Sequence, residues 1–256
     1  MSSMWQYRYL LMYLIWRDIK VRYKQAFFGV AWAIVSPLIQ VTVFTFIFGG
    51  IFRLSTGQTN YFPIVLVGFT FWNFLSQCIT STLVALVTNT DLITKVKFPK
   101  IILVISAVGG RIPDLIVTFV FSLFLLLFLQ PFFIPNLFWF AILFMTLILL
   151  AVGIGLILSV TNVYFRDITA VIPVFITVWL FLTPVVYPLS SVPANYMILA
   201  RVNPVTGILE GMRNVLITNQ PPDLLLTLTS IALSVGLLIF GFLYFSKLEK
   251  NLADII

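Results

Sequence analysis

Hydrophobic positions in this chain gather into long runs, roughly 27–51, 62–87, 101–130, 134–161, 169–187 and 223–246, separated by short polar breaks. A helix needs about 20 apolar residues to cross a bilayer core, so the pattern predicts an all-α polytopic membrane protein with six transmembrane helices. The run at 101–130 is long for one crossing and contains Gly109, Gly110 and Pro113, which predicts a bend inside it. The opening stretch, 5–25, reads differently. Its apolar run at 9–16 is too short to span and is followed at once by Arg17, Lys20, Arg22 and Lys24. Trp5, Tyr9, Met12, Trp16, Ile19 and Tyr23 recur at alternating spacings of four and three, one stripe of a helix flanked by basic residues. This predicts an amphipathic helix lying in the membrane interface, with a plain juxtamembrane anchor as the alternative. No small-residue cleavage site follows it, which argues against a signal peptide. Between the last two runs, 188–222 holds apolar pieces too short to span, broken by prolines at 188, 193, 204, 221 and 222. That predicts short re-entrant helices on the outer side, against an ordinary external loop. The whole reads as a single transmembrane domain over 1–256, ending in a short tail, 247–256.

Composition agrees with the pattern. Apolar residues make up 61% and charged residues 9% of the 256, where soluble domains have roughly 45–50% and about 25%. So few charges exclude a soluble enzyme. The net charge of +7 is spread over membrane flanks, so it reads as a topology signal and not as a nucleic-acid surface. Arg8, Arg17, Lys20, Arg22, Lys24, Lys95, Lys97, Lys100, Arg166, Lys247 and Lys250 fall on the side of the termini. Only Arg53, Arg201 and Arg213 fall opposite, which predicts cytoplasmic termini. There is no His, and Cys78 is the single Cys. That removes His-based metal sites, structural disulfides and Ser-His or Cys-His catalysis, leaving no catalytic, metal or cofactor residues to nominate. None of the seven lysines follows a glycine, so a phosphate-cradling Walker A loop is missing.

Several polar residues carry what specific chemistry remains. Arg111 and Asp114 lie within a span, three apart on one helical face. They read as a neutralising pair, with a proton or ion relay as the sharper alternative. Trp32, Ser36 and Gln40 repeat every four residues, as do Asn73, Gln77 and Thr80/Ser81; such stripes face a hydrated path or hydrogen-bond neighbouring helices. Phe175 and Trp179 share one face of the fifth span and Tyr187 stands near its outer end, so Trp32, Ser36, Gln40, Phe175, Trp179 and Tyr187 are candidate channel-lining residues. The competing view packs these rings against lipid or neighbouring helices. Ala151, Gly155 and Ser159 form a small-residue ladder suited to close helix packing. Two inner loops mix apolar and charged residues: one with Asp91, Lys95, Lys97, Phe98, Pro99 and Lys100, the other with Arg166 and Asp167. Short stretches of this kind suit docking of a peripheral subunit, or serve only as topology signals and solvated turns.

The order of these pieces resembles the permease subunit of polysaccharide-exporting ABC transporters, the group that moves O-antigen, capsular and teichoic-acid polymers. The strongest stretch runs from Arg17-Asp18-Ile19-Lys20-Val21-Arg22-Tyr23-Lys24-Gln25 through Gly29, Trp32 and Ser36-Pro37-Leu38. Lys97-Phe98-Pro99-Lys100 and Phe165-Arg166-Asp167-Ile168 resemble the family's two cytoplasmic loops. Thr183-Pro184-Val185-Val186-Tyr187-Pro188, and Asn203-Pro204 followed by Glu210 and Arg213, resemble its external re-entrant region. Ala26-Phe27-Phe28 departs from the Ser and Leu common in relatives, and Ser36 often reads Asn. The resemblance implies a homodimer in the bacterial inner membrane above two separate nucleotide-binding ABC subunits, which would hold the ATP and Mg. It further implies a lipid-linked polysaccharide as substrate. Export of teichoic acid or a small amphiphile is the near alternative. A membrane-embedded glycosyl- or phosphotransferase is the distant one, because the inner carboxylates Asp18, Asp91, Asp167, Glu249 and Asp254 are scattered.

Overall fold

The computed structural model describes residues 6–24, 31–52, 61–129, 136–249 and 252. Trp5, Gln25, Gly29, Arg53, Lys250 and most of the tail lie outside the described residues. Every regular element among those described is helical. An initial helix, α1 (Arg8–Lys24), precedes α2 (Ala31–Phe44), which continues as a π-helical turn to Ile51. Then come α3 (Tyr61–Val84) and a short α4 (Thr90–Lys95). The predicted bend is real: α5 (Ile101–Gly109) and α6 (Ile112–Leu129) are separate helices, broken at Gly110-Arg111. After α7 (Leu137–Tyr164) and α8 (Ile168–Leu182), two short helices, α9 (Met197–Val202) and α10 (Pro204–Arg213), lead to α11 (Leu224–Leu248).

Five of these units are long and apolar enough to cross a membrane: Ala31–Ile51, Tyr61–Val84, Ile101–Leu129, Leu137–Tyr164 and Leu224–Leu248. The predicted fifth span behaves differently. Its helix has 15 residues, about 22 Å at 1.5 Å per residue, against a hydrocarbon core of about 30 Å. The cause lies in Thr183-Pro184: Pro184 offers no amide hydrogen and disfavours helical geometry at the residue before it, and Thr183 is extended. The chain continues without helix through four buried residues, Thr183 to Val186.

The central helix is α3, buried on nearly all sides, with α2, α6, α7 and α8 around it. Apolar burial alone does not drive association in lipid, where close packing and polar contacts between helices must do so. The most extensive pair is α7 with α11. Gly153 makes it possible: a Cβ there would meet the backbone of Leu237 and Leu238 at 2.8–2.9 Å. Gly155, from the predicted ladder, faces α3 instead, where a Cβ would strike the Thr82 side chain at 2.8–2.9 Å. The helix therefore packs closely on two faces, and the sequence ladder marked only one. A second apolar cluster joins Leu14, Ile93, Ile102, Leu103, Val160, Phe245 and Leu252. It gathers α1, α4, the start of α5 and the ends of α7 and α11 at one end of the bundle.

Candidate functional site

The break between α5 and α6 brings the in-span charges against α1. Because Gly109 has no side chain, α1 can lie across this break; a Cβ there would meet Ile15 at 2.8 Å. Asp114 is 7% exposed. Its carboxylate accepts hydrogen bonds from the Arg22 guanidinium and the Tyr23 hydroxyl, both on α1. Arg22 also donates to the Gly110 carbonyl at 3.0 Å. Arg111, the partner expected from sequence, stands 3.5 Å from Asp114 and spends its shorter bonds on α3: 2.7 Å to Ser81 and 3.1 Å to Gln77. The neutralising pair thus becomes a polar hub joining α1, α3 and α6 at the α5–α6 break, with Arg22 and Tyr23 as the nearest partners of Asp114. Burial first, then the hydrogen bond to Asp114, pushes the Tyr23 hydroxyl up to about 12, which keeps it protonated as a donor.

The interface helix shows two apolar sides. Leu14 is buried against the bundle, whereas Tyr9, Met12, Tyr13 and Trp16 are exposed. Tyr23, assigned from sequence to the same outward stripe, turns inward to Asp114. Arg17 pairs at 2.9 Å with its neighbour Asp18.

The two loops that mix apolar and charged residues meet at the end held by the second apolar cluster. Asp91 and Lys95 form an exposed pair on α4 at 3.0 Å, and Lys97 is also exposed. Phe98 packs partly into the cluster, and Pro99 is half-buried beside it. Lys100 is tied to the end of α11: its amide donates to the Glu249 carboxylate at 2.8 Å and its ammonium to the Glu249 carbonyl at 3.0 Å. Arg166 and Asp167 are exposed next to Phe165, which is 64% exposed. Within residues 89–100 and 162–168 the exposed apolar side chains are therefore Val96 and Phe165, and not Phe98.

The lining candidates divide around α3. Gln40 accepts a 3.0 Å hydrogen bond from Asn73, and Ser36 is half-buried beside exposed Trp32. On the other side, Trp179 meets Trp72 edge-on at 5.5 Å and Phe175 at 5.7 Å. Tyr187 donates to the Phe181 carbonyl at 2.9 Å, folding back on its own helix end. Near the C-terminal ends of α2 and α8, the rings of Phe44 and Phe181 lie 6.5 Å apart.

At the end of the bundle away from the charged loops, Arg213 is 4% exposed although it looks from sequence like a loop charge. It pairs with Glu210 at 2.7 Å and donates to the carbonyls of Val185, Ile64 and Tyr187 at 2.6, 3.2 and 3.3 Å. Glu210 accepts from the Leu189 amide at 3.0 Å. Asn203 caps α10 through the Val205 amide and donates to Thr183 at 2.7 Å, while Pro204 occupies the first turn where its missing N–H costs nothing. Arg213 thus satisfies the backbone that Pro184 released from helix. No group of three or more potential metal ligands occurs among the described residues.

Residues 9–217 match the family model described as ABC-2 type transporter. The chain is 30% identical over 259 residues to the O-antigen export system permease protein RfbA of Myxococcus xanthus, covering 98% of this chain and 97% of that one. A protein of the same name from Klebsiella pneumoniae is 26% identical, with 96% and 95% covered. The polysialic acid transport protein KpsM of Escherichia coli is 26% identical over 78% of each chain.

Proposed function

The chain belongs to the ABC-2 type transporter membrane family, and from that premise we propose that it forms the channel of an exporter for a lipid-linked, O-antigen-like polysaccharide. Permeases of this family are multi-pass membrane proteins, are not themselves enzymes, and work with nucleotide-binding partners. In this reading two copies sit in the bacterial inner membrane with both termini in the cytoplasm. Two ATPase subunits below them hydrolyse ATP. The observation that carries the reading is end-to-end similarity to O-antigen export permeases in a chain without any Gly-Lys dipeptide. The basic end of the bundle, with α1, α4 and the loop at Arg166-Asp167, then faces the ATPases, and α9 and α10 dip into the outer leaflet.

Deletion of the gene is expected to trap a finished polymer in the cytoplasm, and the wild-type chain to restore export. The double reversal Lys95→Glu/Lys97→Glu changes two exposed charges, so the chain should still insert while losing co-purification with the ATPase and failing to restore export. Unaltered surface polymer after deletion would refute the transport reading. Full function of the double variant would refute only the docking assignment.

The path in this reading runs along α2 and α8, with Ser36 and Gln40 supplying hydrogen-bonding groups and Phe175 and Trp179 supplying faces for sugar rings. A hydroxyl-rich polymer needs such a lining because unpaired polar groups cost several kcal/mol in hydrocarbon. Cysteines at 36 and 175, in a Cys78→Ala background, are expected to react with a water-soluble thiol reagent during export. Protection at both positions would place the path elsewhere.

A further inference from the structure

A cleft of about 470 Å³ opens between α1, α3 and α5, beside the polar hub. Its size falls within the roughly 300–1,000 Å³ of small-molecule sites. Its lining includes Arg17, Asp18, Arg22 and Arg111 together with the hydroxyl-bearing Thr80, Ser81 and Thr88. The same helices also line it with apolar Val21, Val84, Leu103 and Ala107. Each guanidinium keeps donors unspent: Arg17 bonds only Asp18, Arg22 uses one terminal nitrogen, and the second terminal nitrogen of Arg111 has no hydrogen bond among the described residues. Their side chains are 22–35% exposed, so the remaining donors reach the cleft.

We infer that this cleft binds the phosphate or diphosphate head of a lipid carrier. Three arginines exceed the two nearby carboxylates, Asp18 and Asp114, leaving a local excess of positive charge. Arginine donors suit phosphate oxygens in paired geometry. A free phosphate would use only the arginine donors; a phosphate on a hydrocarbon chain also uses the apolar lining. The level is right as well, since α1 carries its exposed Tyr9, Tyr13 and Trp16 where amphipathic aromatics lie, among lipid headgroups. The inference deepens the export reading and rests on it in placing α1 at the cytoplasmic face. It assigns the admission of the lipid head to α1 and α3.

The test is direct binding to the purified full chain in detergent, with farnesyl diphosphate as probe and farnesol and inorganic diphosphate as controls. Farnesyl diphosphate is expected to bind at least tenfold more tightly than either control. Arg17→Gln, which disturbs only a contact with the adjacent residue, should weaken it about tenfold. Thr88→Trp, at an exposed rim position, should weaken it by obstruction. Inorganic diphosphate binding as tightly as farnesyl diphosphate would assign the cleft to a free anion and overturn the lipid claim. Binding unchanged by both variants would place the lipid elsewhere. Because the readout is binding alone, it stands apart from the polymer trapped by gene deletion, and either result can fail without the other.

Discussion

Asp114→Ala is expected to cost about 3 kcal/mol of stability or more, the range for removing one partner of a buried ion pair. The physical reason is asymmetry. The carboxylate is 7% exposed and faces Arg22, Tyr23 and Arg111, so its loss leaves two guanidiniums close together without compensation. Partial exposure of the Arg22 side chain, at 27%, lets water enter and holds the figure toward the lower end. Asp114→Asn should fall between, because an amide oxygen still accepts one hydrogen bond but carries no charge. Combining it with Arg22→Gln should recover part of the loss, since the unpaired cation is then removed as well. At about 2–4 °C per kcal/mol for a chain of this size, the alanine variant should lower the melting temperature by roughly 10 °C in detergent. An unshifted transition for Asp114→Ala would show that the hub does not hold α1 to the bundle.

How much of this was legible in the sequence depends on the range of the interaction. Hydropathy is local, so five membrane-length helices and the position of α1 follow from the runs themselves. The α5–α6 break also has a local cause in Gly109-Gly110 and Pro113. The partner of Asp114 was not legible, because Arg22 and Tyr23 lie 92 and 91 residues away, whereas Arg111 lies on the same face. Helical spacing favours the near neighbour; folding brings the far one closer. Gly153 is not legible for a related reason: the ladder through Ala151, Gly155 and Ser159 is periodic, while the close crossing of α7 with α11 sets Gly153 against Gly241, far apart in the chain. Phe98 looked like an exposed anchor because composition does not say which apolar residue of a short loop turns inward. The shortening of the predicted fifth span had a visible signal, Thr183-Pro184, whose consequence depended on finding Arg213.

Arg213→Met is expected to be as damaging as the loss of Asp114, but by freeing a segment and not by stranding a cation. Methionine has comparable bulk and leaves no cavity of note, yet it donates nothing. The carbonyls of Ile64, Val185 and Tyr187 lose their donor together, and Glu210 keeps only the Leu189 amide. Each buried group left unsatisfied costs about 1–3 kcal/mol; the Ile64 carbonyl keeps its partner within α3, but those of Val185 and Tyr187 together exceed what the Tyr61 hydroxyl on the Val186 carbonyl can hold. Arg213→Lys should help little, because one ammonium on a flexible stem cannot reach carbonyls on two sides while pairing with Glu210. Glu210→Gln should be milder, since its amide oxygen still accepts from Leu189. The segment from Thr183 to Val186 is the part expected to loosen, so its exposure is the measurement that matters. Val186 is 2% exposed; a cysteine there, in a Cys78→Ala background, should be inert to a water-soluble thiol reagent. With Arg213→Met added it should react readily, with Arg213→Lys nearly as fast, and with Glu210→Gln slowly. Equal protection in all three would mean that packing of Val185 and Val186 alone holds the segment, and that the arginine's bonds to it are dispensable.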